Sequence, residues 1–63
     1  MRLTEFWRRM EQRFGVGYAA SVAADYRLPD LGATIDEALA AGVEPKTVWQ
    51  AVCAEFDMPA SLR

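Results

Sequence analysis

The chain has 63 residues, of which 52% are hydrophobic, and its formal net charge is −2. This length allows one domain only, spanning residues 1–63, and a core so small needs dense packing or association to be stable. A single cysteine excludes an internal disulfide, the lack of histidine removes the commonest metal ligand and acid–base group, and the acidic balance disfavours a nucleic-acid-binding module.

The amino-terminal segment does not have the pattern of an export signal, because charged residues interrupt its apolar residues every two or three positions. No apolar run approaches the roughly 18 residues of a membrane-spanning helix. A lone cysteine is typical of a reducing compartment. We therefore expect a cytoplasmic protein that makes no membrane contact.

Two helices are predicted in the first half of the chain. Thr4 is expected to cap the first helix, in which apolar residues recur at helical spacing until Gly15 ends it. The second helix has Tyr18, Val22 and Tyr26 at spacing i, i+4 and i+8, with alanines at most other positions. This spacing predicts that the two tyrosines and the valine form its inward stripe.

Residues 34–56 have the pattern of a helix, a tight turn and a second helix. Thr34 and Glu37 match a capping box, which begins the third helix. Gly42 is expected at positive φ where that helix ends, and Pro45 begins the fourth helix at its favoured first position. The outward face of the fourth helix is predicted to consist of Lys46, Thr47, Gln50, Ala51 and Ala54.

The predicted fold class is therefore all-α, a compact bundle of four short helices with a helix-turn-helix-like C-terminal half. No segment alternates apolar and polar residues as a half-buried strand does. The side chains on the inward stripes are expected to form one core: Phe6, Trp7, Met10, Phe14, Tyr18, Val22, Leu39, Val48, Trp49, Val52 and Phe56.

Ala38, Gly42 and Val48 have the spacing of the small residue, turn glycine and buried valine of a helix-turn-helix motif. In such a motif Lys46 and Gln50 would face the major groove, where they could pair with guanine and adenine. The helix offers only one cation, however, and affinity for DNA rests largely on neutralising phosphates. Packing between two helices is therefore the favoured interpretation, and base recognition is the alternative.

Three arginines of the first helix, Arg2, Arg9 and Arg13, lie within about 40° of one another on a helical wheel, beside its apolar stripe. Glu5 precedes Arg9 by four residues, which is the favourable order for an ion pair. The arginines form either a solvated face or a ridge that binds an acidic partner or a phosphate backbone. The complete candidate interaction surface comprises Arg2, Arg9, Arg13, Lys46, Thr47 and Gln50.

The sequence contains no evident catalytic, cofactor-binding or metal-binding set. Its carboxylates form no evident catalytic pair, and Cys53 has neither a histidine nor a second cysteine to activate it. Cys53 is expected to behave as a small buried hydrophobe, and Trp7 and Trp49 are expected to pack in the core rather than serve as interface anchors. We therefore do not expect an enzyme.

The opening MRLTEFW, the block ALAAGVEPKTVW and the closing AVCAEFDMP resemble a family of very short actinobacterial proteins with a domain-of-unknown-function label. The resemblance covers nearly the whole chain and is looser between Tyr18 and Ala33. Members are often encoded near the recombinase RecA and its regulator RecX, which implies an association with DNA repair. The resemblance also implies a complete cytoplasmic protein, and it supplies no catalytic or binding residues.

The sequence therefore predicts a non-enzymatic interaction module without cofactors, whose partner is an unidentified protein and whose role is accessory to DNA repair or recombination. The alternative is a helix-turn-helix protein that binds nucleic acid directly and weakly. The chain is expected to be a monomer or a weak homo-oligomer. Salt dependence separates the two functions, because phosphate binding weakens steeply with salt whereas an apolar protein interface hardly changes.

Overall fold

Four α-helices make up most of the computed structural model, which describes all residues 1–63. Helix α1 spans Leu3–Phe14, α2 spans Val16–Asp25, α3 spans Ile35–Ala40 and α4 spans Pro45–Glu55. Two-residue strands β1 (Arg27–Leu28) and β2 (Ala33–Thr34) pair between α2 and α3, and a 3-10 turn spans Ala60–Leu62. The prediction of a small, mostly helical fold with four helices is confirmed, and the prediction that it contains no strand is wrong.

Helix α1 begins two residues earlier than a Thr4 cap would place it. Arg2 occupies the cap position without a side-chain capping bond, and the backbone N–H of Phe6 donates to its carbonyl at 3.0 Å. The Thr4 prediction is therefore wrong. The predicted end is confirmed, because Gly15 has φ +92° and its N–H donates to the carbonyl of Glu11 at 2.8 Å.

Helix α2 starts directly after Gly15, which thus separates two helices on its own. Its buried residues are Ala19, Val22 and Ala23. Tyr18 is 64% exposed and Tyr26 is 39% exposed, so the inward stripe predicted for the two tyrosines is wrong. Helix α2 packs mainly against α1, and a face of alanines allows that close approach while the tyrosines remain outside.

The two short strands form a tight antiparallel hairpin in which Leu28 lies opposite Ala33. The carbonyl of Leu28 accepts hydrogen bonds from the N–H groups of Leu31 and Gly32, at 3.1 and 2.8 Å. The Leu28 side chain is fully buried. The hairpin therefore covers one side of the core as well as joining α2 to α3.

The predicted capping box is confirmed at the start of α3. The N–H of Glu37 donates to Thr34 Oγ1 at 3.1 Å, and the N–H of Thr34 donates to Glu37 Oε1 at 3.0 Å. This backbone hydrogen bond and the nearby Arg27 hold the pKa of Glu37 below its ordinary value. The carboxylate thus stays ionised at the helix end where a negative charge is favourable.

The joint between α3 and α4 is a Schellman turn. The N–H of Val43 donates to the carbonyl of Ala38, and the N–H of Gly42 donates to that of Leu39, at 3.0 and 3.1 Å. Gly42 has φ +90°, as predicted, and Pro45 is the first residue of α4, also as predicted. The chain thus forms a helix, a glycine turn and a second helix over this stretch.

The core is one cluster of 14 buried residues. The predicted members found in it are Phe6, Met10, Val22, Val48, Trp49 and Val52. Four more predicted members are partly buried against the cluster, namely Trp7, Phe14, Leu39 and Phe56. Of the predicted core, only Tyr18 lies wholly outside it.

The rest of the core was not among the predicted members. It comprises Ala19, Ala23, Leu28, Ile35, Ala38, Ala51, Met58 and Leu62. Ala51, predicted on the outward face of α4, is only 5% exposed, because α1, α3 and β1 contact α4 from several sides. None of the helices combines the length with the apolar character that crossing a bilayer demands.

Candidate interaction surface

A shallow depression of about 360 Å³ lies where α1, α4 and the C-terminal residues meet. It is lined by Met1, Arg9, Lys46, Trp49, Gln50 and Arg63. Three of these side chains are cationic, and none carries a carboxylate. We refer to this site as the basic depression.

Arg9 projects into the basic depression from α1 and is held by two acceptors. Its Nε donates to Glu5 Oε2 at 2.8 Å, and its Nη1 lies 3.4 Å from the carbonyl oxygen of Leu62. The side chain is only 23% exposed. The guanidinium is therefore fixed in place before any ligand arrives.

Glu5 forms ion pairs with two arginines of α1. Besides Arg9, it accepts hydrogen bonds from Arg8 Nε at 2.9 Å and from Arg8 Nη2 at 2.5 Å. These bonds, first from Arg8 and then from Arg9, lower the pKa of Glu5 from 4.5 to about 2. One carboxylate thus faces two guanidinium groups, and this part of α1 keeps one net positive charge.

The C-terminal residues are fastened to the helices through main-chain carbonyls. The indole Nε1 of Trp49 donates to the carbonyl of Leu62 at 2.8 Å, the same carbonyl that Arg9 contacts. Leu62 is itself buried in the core. Arg63 Nε lies 3.5 Å from the carbonyl of Met58. This arrangement places Arg63 on the lining, next to side chains more than ten residues away in sequence.

Lys46 and Gln50 are one helical turn apart on α4, so both lie on the same face. Both are exposed, and neither forms a hydrogen bond or ion pair within the chain. Their donors are therefore free for a ligand, in contrast to those of Arg9.

Of the predicted surface, the structure brings together Arg9, Lys46 and Gln50, whereas Arg2, Arg13 and Thr47 lie outside the lining. Arg13 Nε donates to the carbonyl of Asp57 at 3.0 Å, and its guanidinium lies 4.8 Å from the centre of the Phe14 ring. Arg9 and Arg13 thus hold the C-terminal segment. Met1 and Arg63 also line the depression, which their local sequence does not predict, and Trp49, predicted only for the core, lines it as well. No local pattern indicates that residues 58–63 fold back.

Cys53 is half-buried rather than fully buried. Loss of solvent raises the pKa of its thiol, while nearby Arg63 and Arg9 oppose this effect. The thiol therefore stays protonated at neutral pH and is a weak nucleophile. No three thiol or carboxylate groups come close enough together to hold a metal ion.

No curated protein and no solved structure matches this chain. A family model described as "Protein of unknown function (DUF3046)" matches residues 1–61. This match confirms the resemblance to a domain-of-unknown-function family, and it includes every lining residue of the basic depression except Arg63. The chain belongs to the DUF3046 family.

Proposed function

We propose that the protein is a non-enzymatic interaction module that binds an acidic segment of a partner protein in the basic depression. The observation that carries the proposal is the convergence of Arg9, Lys46 and Arg63, from three separate parts of the chain, on a lining without a carboxylate side chain. The resemblance described above supplies the biological setting, an accessory factor of DNA repair or recombination in the cytoplasm.

The side chains of the depression would contribute to binding in different ways. Arg9 is already immobilised by Glu5 and Leu62, so it loses little conformational freedom when a carboxylate approaches. Lys46 and Gln50 offer unpaired donors that can close on the same ligand. Because such partly exposed ion pairs are each worth about 0.2–1 kcal/mol, we propose a weak, reversible complex.

Direct nucleic-acid binding by a helix-turn-helix is the second candidate. It is favoured by the exposed positions of Lys46 and Gln50 in the first half of α4, directly after the Gly42 turn. Glu44 precedes them and would repel phosphate. Lys46 is the only cation of α4, so Arg9 and Arg63 beside it would have to supply the other charges. With about three phosphates neutralised in this way, the salt slope would be near −3 and the Kd no tighter than roughly 10⁻⁴–10⁻⁶ M at physiological salt.

The test uses fluorescence anisotropy with two labelled probes, a polyglutamate peptide and a DNA duplex, each across a salt series. We expect the peptide to bind the wild-type chain. We expect Lys46→Gln and Arg63→Gln each to weaken peptide binding by about two- to fivefold. Arg27→Gln is the matched control, since Arg27 is exposed, pairs with Glu37 and lies outside the depression.

The outcome decides between the two candidates. The proposal is contradicted if Lys46→Gln and Arg63→Gln leave peptide binding unchanged. The helix-turn-helix function is correct if the duplex binds at least about tenfold more tightly than the peptide, with a salt slope near −3, and if Lys46→Gln and Gln50→Ala abolish that binding.

A further inference from the structure

Four aromatic rings form a continuous row along one side of the molecule. The ring centres of Tyr18 and Phe14 are 6.4 Å apart, those of Phe14 and Phe56 are 5.1 Å apart, and those of Phe56 and Tyr26 are 5.0 Å apart. The two tyrosines at the ends are exposed, and the two phenylalanines between them are half-buried. We refer to these four residues as the aromatic row.

Between the two tyrosines, on the outer face of α2, lies a depression of about 200 Å³. Its lining residues recur at helical spacing, and they are Tyr18, Ser21, Val22, Asp25 and Tyr26. Asp25 is the only charged residue among them. This site therefore has the opposite charge to the basic depression, and its size suits one long side chain rather than a helix.

A second carboxylate stands beside it. The Tyr26 hydroxyl donates a hydrogen bond to Glu55 of α4. This bond raises the pKa of Tyr26, so the phenol stays neutral and serves as the donor. Helix α2 contains no basic residue that could neutralise Asp25 from within the same helix.

The nearby cations are engaged elsewhere. Arg27 donates to the carbonyl of Gly32 at 2.9 Å and lies 3.5 Å from Glu37. Arg13 donates to the carbonyl of Asp57 at 3.0 Å. Neither lines the depression, so its negative charge is unmatched within the chain.

The aromatic row already accepts one guanidinium. The Arg13 Cζ atom lies 4.8 Å from the centre of the Phe14 ring and 6.0 Å from that of Phe56. A cation over an aromatic face at this range is attracted by the ring electrons. The tyrosines at the two ends of the row present the same kind of face to solvent.

We propose that the depression between Tyr18 and Tyr26 binds a single arginine side chain from a basic segment of a partner protein. The guanidinium would stack on the tyrosine rings and pair with the Asp25 carboxylate. Arginine fits better than lysine, because its planar group both stacks on aromatic rings and matches a carboxylate with two donors. Apolar residues beside that arginine would contact Phe14 and Phe56.

The test is an NMR titration of the full chain, labelled with ¹⁵N, using an acetylated and amidated Gly-Leu-Arg-Leu-Gly peptide. Matched peptides replace the arginine with lysine, glutamine or glutamate. We expect the arginine peptide to shift the amide signals of Ser21, Asp25 and Tyr26. We expect the glutamine peptide to bind at least about threefold more weakly and the glutamate peptide not to bind.

Variants at exposed positions separate the contacts without unfolding the chain. Tyr18→Ala and Asp25→Asn should each weaken binding of the arginine peptide by about two- to fivefold. Tyr26→Phe keeps the ring and removes only the hydroxyl, so it should change the affinity less than about twofold. Asp30→Asn is the matched control, since Asp30 is an exposed carboxylate that lines neither depression, and it should leave binding unchanged. No variant in this test touches the basic depression, which keeps the test independent of the function proposed above.

Three results would overturn the proposal. The glutamine peptide could bind as tightly as the arginine peptide, or Tyr18→Ala and Asp25→Asn could bind as tightly as the wild-type chain. Sedimentation equilibrium could instead show self-association that Tyr18→Ala abolishes and the peptide reverses, in which case the row serves a second copy of the chain.

Discussion

Helices α1 and α2 are neighbours in sequence and in space, yet they bury opposite kinds of side chain. Helix α1 fully buries Phe6 and Met10, whereas the inner face of α2 is built mainly from Ala19 and Ala23. The large apolar rings of α2 point outward and help to form the aromatic row. Close packing against α1 thus favours small side chains on the inner face of α2, even where larger apolar side chains lie on the same helix.

The largest effect is expected at the α1 side of the interface. Phe6 is fully buried, and its ring meets those of Trp7 and Trp49 edge to face at 5.3 and 5.8 Å. Phe6→Ala should lower the free energy of unfolding by about 3–5 kcal/mol, because the cavity it leaves cannot close fully. Urea denaturation followed by circular dichroism measures this change. A variant that unfolds at the wild-type midpoint would contradict the assignment of Phe6 to the core.

A smaller loss is expected when the alanine face of α2 is enlarged. Ala23→Leu should cost about 1–3 kcal/mol, because Ala23 is fully buried and the added carbons must displace packed neighbours. Ala20→Leu is the matched control, since Ala20 is exposed on the same helix, and it should change stability by less than about 0.5 kcal/mol. Equal losses in the two variants would mean that close approach of α1 and α2 does not explain the alanine face.

The smallest effect concerns the outer surface of α1, which carries an ion-pair network that α2 lacks. The pKa of Glu5 is about 2 in the folded chain and 4.5 in its ordinary state, so the folded protein binds fewer protons between these values. Its contribution to stability is therefore complete above about pH 5 and lost as the pH falls towards about 2.

Thermal melts from neutral to acidic pH test this prediction. Glu5→Gln should lower the melting temperature near neutral pH and flatten its decline in acid. Glu11→Gln is the matched control on the same helix, since Glu11 forms no ion pair in the structure. If Glu5→Gln keeps the wild-type acid profile, the network does not stabilise the fold.

The joints between helices could be predicted because their signals are local. The bonds between Thr34 and Glu37 join residues three apart, and Gly15 and Gly42 end helices through their own backbone angles. Such features need no knowledge of the rest of the molecule. The same holds for Lys46 and Gln50, whose shared face follows from helical spacing alone.

The remaining features depend on contacts distant in sequence. The spacing of α2 fits two faces, and the larger apolar area of the tyrosine rings favours burying them, although the packed face consists mainly of alanines. The paired strands are only two residues long, which is too short for an alternating pattern. The position of Arg63 depends on hydrogen bonds to main-chain carbonyls, which any residue could supply. No residue type at the C-terminal end therefore indicates where Arg63 lies.

The hydrogen bond from Trp49 to Leu62 gives the molecule a built-in optical reporter. Indole emission shifts to longer wavelength when the ring meets water, and Trp49 is 2% exposed with its N–H bonded to a C-terminal carbonyl. Local release of residues 58–63, with the helices still folded, would therefore expose part of the indole and shift its emission to the red. With Trp7 replaced by phenylalanine, the remaining fluorophore would follow that single event in real time.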